Sequence, residues 1–363
     1  MNFKSQLENY PYSDLWDHLR STKKTVVMYG MGNGADKILA VADRFGITVA
    51  DFFASDGFVR GHSFHGKRVL SYSETKEKYG AENMIVLLSF ASSLPDVLEN
   101  IKRIAAECEL YAPDVPVCGD TLFCREFYEK NLSHFNEARE MLSDSESRRI
   151  FDNTLLYKLT GDVSYLFDAE SDKDQVMLGL LHADTVKSYA DLGAYNGDTI
   201  RELLKYAKRL SYAVAFEPDR RTFRKLDEYC AAEENIDELL RVHAAAWSEN
   251  TTLSFSTEGN RNSGLFAKTK KNEDIAALTL DGVLDGRGVD YIKFDVEGAE
   301  AEALRGCEKA IAACRPRLLV SAYHRSEDIF ALPRLIKDMR PDYDLYLRRY
   351  PYIPAWDLNL ICV

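Results

Sequence analysis

The sequence has no C-x-x-C pair, no apolar run approaching the ~18 residues that suggest a membrane span, and no G-x-G-x-x-G turn. Its seven cysteines are scattered from Cys108 to Cys362 and odd in number. That argues against a disulfide framework and for reduced thiols in a cytoplasm. The opening "MNFKSQLENYPYSDLWDHLRS" has no basic region followed by an apolar core, so no secretory signal is read there. Positive charge is also short. A formal net charge of -12 leaves no basic face for a broad nucleic-acid footprint. Internal repeats and low-complexity tracts are missing too.

What is present is ordinary globular material. The chain has 363 residues, 46% hydrophobic and 29% charged, enough for two domains each with its own core. Residues 1–120 alternate buried-strand runs such as "TVVMYG" and "NMIVLLSF" with helical stretches such as "GADKILAVADRFG". "ITVADFFAS" reads as a further strand. This predicts a Rossmann-like unit with a parallel sheet. Residues 121–173 are helical in period, rich in charge and sparse in Gly and Pro, which predicts a helical bridge. From 174 to 363 the alternation returns. Strands are expected at "SYADL", "YAVAFE", "RVHAAAW", "TLSFST", "DYIKFDV" and "RLLVSAY". The last two, "DLYLRRY" and "DLNLICV", are joined by only "PYIPAW". So short a connection cannot hold a crossover helix, so the pair should be antiparallel. The fold class is therefore α/β, with two Rossmann-like domains. The C-terminal one has the layout of a class I methyltransferase sheet ending in an antiparallel hairpin.

Ligands of open α/β sheets sit at the carboxyl ends of the strands. There "YADLGAYNGDTI" places Asp191 at a strand end, Gly193 and Gly197 in the turn, and Asp198 at a helix start. The glycines let the backbone turn tightly and approach a ligand. The acids would repel a pyrophosphate but welcome a cofactor with a cationic amino acid part, which favours S-adenosylmethionine over NAD. "AFEPD" puts Glu217 about 20 residues further on, where an acid takes ribose hydroxyls. In "RVHAAAW", Ala244, Ala245 and Ala246 leave room for a flat adenine ring.

"DYIKFDVEGAEAEALRG" delivers Asp295 at a strand end, then Glu297, Gly298 and Glu300. Strand alternation puts Lys293 and Asp295 on one side, where they can pair. Helix capping is the alternative use of Glu297 and Glu300. His324, in "VSAYHRSED", ends the next strand on the same rim, and an ordinary imidazole suits a general base. A metal ion at this rim is not expected.

These segments together resemble the FkbM-type methyltransferases over about residues 174–363. The resemblance implies S-adenosylmethionine-dependent methylation of a hydroxyl on a sugar, glycan or related natural product. Carried over by position, it places Asp191, Gly193, Ala194, Asn196 and Gly197 in the cofactor loop. Glu217 and Pro218 fall at the ribose and Ala245 at the adenine. Asp295, Glu297 and His324 face the transferred methyl and acceptor. Asn262 and Ser263, in "EGNRNSGLF", are candidates for a loop over the site. The N-terminal glycines Gly30, Gly32 and Gly34 are spaced G-x-G-x-G, a weak signal that leaves a nucleotide site, a scaffold or a homodimer surface open. The alternatives are an NAD-dependent oxidoreductase working through that turn, and a non-catalytic nucleotide-binding module.

Overall fold

The computed structural model describes residues 3–59, 61–256 and 272–363. Asn262 and Ser263 lie outside them. The N-terminal unit is built on β1 (Thr25–Tyr29), β2 (Asp51–Ala54), the short hairpin β3 (Ser63–Phe64) and β4 (Lys67–Arg68), β5 (Leu70–Ser71), β6 (Met84–Leu88) and β7 (Glu109–Tyr111). Five of these form a parallel sheet in the order β5-β2-β1-β6-β7. Its central strands β2 and β6 are buried along their whole length, because helices cover both faces. Expected strand 47–55 shrinks to β2, since Ile47 N–H returns to Ala42 O and Ala50 N–H to Val26 O.

The second sheet comprises β8 (Ser188–Leu192), β9 (Tyr212–Phe216), β10 (Leu239–Val242), β14 (Tyr291–Phe294), β15 (Arg317–Ser321), β16 (Leu345–Arg349) and β17 (Leu358–Cys362). Their order is β10-β9-β8-β14-β15-β17-β16, and β17 alone runs antiparallel to its neighbours. The expected hairpin is present, with β17 inserted between β15 and β16.

The expected strand at 241–247 is split. Ala244 N–H turns back to Val242 O, a three-residue turn that redirects the chain. The remainder, β11 (Ala245–Ala246), pairs instead with β13 (Asn272–Leu278). The expected strand "TLSFST" is β12 (Thr251–Ser256), and it too leaves the main sheet to pair antiparallel with β13.

Between the sheets, helices Arg125–Lys130, Leu132–Met141 and Ser145–Thr160 form the charged bridge. It packs on the outer strand β16. Asp144 caps the Ser145–Thr160 helix through Ser147 N–H at 2.7 Å and accepts from the buried Arg348 at 2.5 Å. Fully buried Arg349 donates to Leu166 O at 2.7 Å and to Tyr352 O. The loop between β16 and β17 then crosses to the N-terminal unit, where Ser92 and Ile353 exchange backbone hydrogen bonds of 2.9 and 3.0 Å.

Asp144→Ala removes both the helix cap and a charged hydrogen bond. It should cost about 2–3 kcal/mol, read as a lower urea midpoint at unchanged slope. An unchanged midpoint would make this junction unimportant.

Candidate active site

The carboxyl ends of β8, β9, β14 and β15 open onto a cleft of about 1430 Å³. Its walls come from both units. Gly193, Glu217, Pro218, Ala245, Asp295, Glu297 and His324 all line it, so the structure gathers these expected residues on one rim.

The first loop is shaped by the protein's own packing. Gly193 has φ +87°, and a Cβ there would sit 1.9 Å from the Asp295 carbonyl. Gly197, φ +82°, would place one 2.2 Å from the Tyr229 ring. The glycines are required by backbone and ring approach within the chain, where the sequence suggested approach to a ligand. Asp191 does not reach the cleft. It is fully buried, accepts from Thr199, and lies 3.5 Å from Lys293 Nζ. Ala194 is likewise fully buried, its N–H donated to Phe216 O. Asn196 turns away: its side-chain oxygen accepts from Arg201 at 2.8 Å. Tyr195, which the sequence reading passed over, faces the cleft instead.

Glu217 is buried, with Oε2 accepting from Tyr195 N–H at 3.0 Å and Oε1 from Asp219 N–H at 2.8 Å. Burial pushes its pKa up to about 8, against the help of these two N–H groups.

Lys293 lies between three oxygens: Asp191 Oδ1 at 3.5 Å, Asp295 Oδ2 at 3.6 Å and Gly193 O at 3.2 Å. Burial works against its charge, yet Asp191 and Asp295 outweigh burial and hold the ammonium above the usual lysine range. Asp295 is itself held below the usual carboxylate range, since Lys293 and His324 overcome its burial.

His324 is 1% exposed and surrounded by carboxylates. Its Nδ1 lies 2.9 Å from Glu300, and its Nε2 lies 3.6 Å from both Asp295 and Glu297. Burial opposes its charge, but Glu300, then Glu297 and Asp295, push its pKa up to about 10. The acids around it thus favour the charged imidazole. Glu300 accepts from Val296 and Gly298 N–H in the loop before its helix, whose N-terminus carries no side-chain cap. Glu297 has φ +54°, and its side chain is 42% exposed to the cleft. Burial of the carboxyl, opposed by His324, pushes its pKa up to about 7.

Asp295, Glu300 and His324 also bring one ligand atom each within 4.8 Å of one another, a spacing a metal ion can use. Lys293 and the imidazolium already supply the compensating charge there. The excess of carboxylates along this wall suits a ligand with cationic groups and opposes a phosphate.

A strap from the first unit completes the site, and no sequence motif announced it. Cys118 N–H donates to His324 O at 3.2 Å and its thiol to Glu297 O at 3.0 Å. Lys37 donates to Pro116 O and Val117 O at 3.3 and 3.2 Å, tying the strap to helix Asn33–Arg44. In the N-terminal glycine turn, a Cβ at Gly30 would sit 2.7 Å from Phe90 and Ser89, and one at Gly34 2.1 Å from Ser89 O, whereas one at Gly32 would meet nothing within 4 Å, and Asn33 beside it lines the cleft.

The raised pKa of Glu217 has a sign that can be tested. A folded value of about 8 against about 4.5 unfolded means the folded state binds the extra proton, so its ionisation costs stability increasingly from pH 4.5 to 8. Glu217→Gln removes that cost. Its thermal midpoint relative to the parent should therefore rise between pH 5 and pH 8. Parallel curves would mean that Glu217 is not strained by burial.

Residues 191–353 match the family model for the methyltransferase FkbM domain. The whole chain superposes on the crystal structure of a methyltransferase FkbM from Methylobacillus flagellatus KT, with TM-score 0.73 and 21% identity, covering 99% of this chain and 97% of that one. An rRNA methylase from Streptococcus thermophilus gives TM-score 0.33 and 13% identity over 50% of this chain and 89% of that one. Aeropyrum pernix fibrillarin, in complex with S-adenosyl-L-methionine, gives 0.32 and 12% over 50% and 68%. No curated protein sequence matches the chain. Over residues 191–353 the chain is thus similar to the methyltransferase FkbM domain, a similarity that carries S-adenosylmethionine as the cofactor, and the whole chain shares the fold of the Methylobacillus flagellatus protein.

Proposed function

We propose that the protein methylates a hydroxyl oxygen of a sugar, glycan or related natural product, with Glu297 as the proton acceptor. The observation that carries this is Glu297 itself: a carboxyl on the cleft wall with a pKa of about 7, beside Asp295 and a charged His324. A base titrating near the working pH is the most effective kind.

When bound, S-adenosylmethionine supplies an electrophilic methyl group on a cationic sulfur. The chain's own groups fit that cation, because the rim carries more carboxylates than cations. Glu217, with Pro218 beside it, accepts from ribose hydroxyls, and Ala245 leaves space at the adenine. The loop through Gly193, Ala194, Asn196 and Gly197 supports it from behind, and Asp191 acts through Lys293. Asp295 orients the acceptor hydroxyl. Glu297 takes its proton as the oxygen–carbon bond forms and the carbon–sulfur bond breaks. His324, fixed by Glu300, holds both acids in place and stays charged. The chief work is alignment of the three reacting atoms.

No helix among the described residues is long and apolar enough to cross a membrane. The seven free thiols suit a reducing compartment, which we take to be the cytoplasm.

The test is transfer of labelled methyl from S-adenosylmethionine to a panel of hydroxyl sugars. Glu297→Gln should lower turnover by about 100-fold or more while S-adenosylhomocysteine still binds. In the parent, the rate should climb as pH passes through about 7. Full turnover by the Gln variant would remove Glu297 from the chemistry.

A further inference from the structure

We propose that the acceptor carries an oxyanion, a phosphate or a carboxylate, held by Lys37 and Arg44 of the N-terminal unit. The inference rests on the reading of the chain as a sugar-hydroxyl methyltransferase.

The cleft, at about 1430 Å³, exceeds the roughly 300–1,000 Å³ of a site for one small ligand, so it has room for an acceptor beside the methyl donor. Its two walls differ in charge. The methyltransferase wall presents Asp198, Glu217, Asp219, Asp295 and Glu297. Two of its cations are compensated, Lys293 by Asp191 and Asp295 and Lys173 by Glu202 at 2.8 Å, and the third, exposed Lys205, is outnumbered by these acids.

The facing wall is one side of helix Asn33–Arg44. Asn33, Lys37, Ala40, Val41 and Arg44 line the cleft at the spacing of a single helix face, and none is acidic. The one acid of this wall, Asp120, belongs to the strap and not to the helix. Arg44 is exposed and makes no salt bridge among the described residues. Lys37 spends two donors on neutral carbonyls and makes no salt bridge among the described residues. The two cations are two helical turns apart, about 10 Å along the axis.

The cleft is therefore polarised across its width. An acceptor with a hydroxyl at one end and an oxyanion at the other is aligned by that field, hydroxyl toward Glu297 and anion toward Lys37 and Arg44. A neutral sugar gains nothing from it. This gives the N-terminal unit a role in the site: it reads the acceptor's charged end.

Calorimetric titration of the full chain, saturated with S-adenosylhomocysteine, tests this with glucose 1-phosphate, glucuronate and methyl glucoside. At least one anion should bind about tenfold tighter than the neutral glycoside, and which one does so names the group. The preference should vanish in the Lys37→Ala, Arg44→Ala double variant and persist in Arg44→Lys. Equal binding of all three probes, no binding of either anion, or a preference that survives the double variant would overturn the proposal. Failure of the parent to bind S-adenosylhomocysteine would instead overturn the methyltransferase reading on which it stands.

Discussion

One buried cation organises the catalytic half of the molecule. Lys293 sits mid-sheet with Asp191 on one side, Asp295 on the other and the Gly193 carbonyl above it. Removing an ammonium from water is expensive unless partners surround it, and removing any partner leaves a buried charge uncompensated. The ends of β8 and β14 are thereby locked to each other. Gly193 could not otherwise press against the Asp295 carbonyl closely enough to exclude a Cβ. From that junction the loop carrying Glu297 departs, and the acids of the rim take their places.

The second ring of charge lies one strand further on. His324 is enclosed by Glu300, Glu297 and Asp295, so its proton does the work of a small fixed cation. Lys293 and His324 each face Asp295, which explains why that acid is held ionised while its neighbour Glu297 titrates near neutral pH. Two carboxyls two residues apart are thus driven to different protonation states by their surroundings.

Much of this was legible in the sequence because it is local. The strand-turn-helix at Asp191–Asp198, the acid at Glu217, the Asp295–Glu300 run and the closing hairpin each lie within one short stretch. The Lys293–Asp295 pairing follows from strand alternation alone. What escaped was non-local. Nothing near Cys118 tells that it meets Glu297, 179 residues away. Nothing in "RVHAAAW" tells that Ala245 leaves the main sheet for a partner strand far along the chain. Asn196 sits in the expected loop but spends its amide on Arg201, a choice made by rotamer rather than by motif.

That non-local character sets the order in which the molecule assembles. Contacts that join the units include Cys118 to Glu297 at the cleft, Thr121 to Ser326, and Asp144 to Arg348, spans of 179, 205 and 204 residues. Closing such long loops costs chain entropy before any contact repays it. Each sheet core, built from nearer neighbours, can form first. The cleft is consequently the last part of the protein to be completed and among the first to come apart. Brief loosening of the strap would expose the rim while both sheets stay folded, which would open a path for a bulky molecule into the cleft.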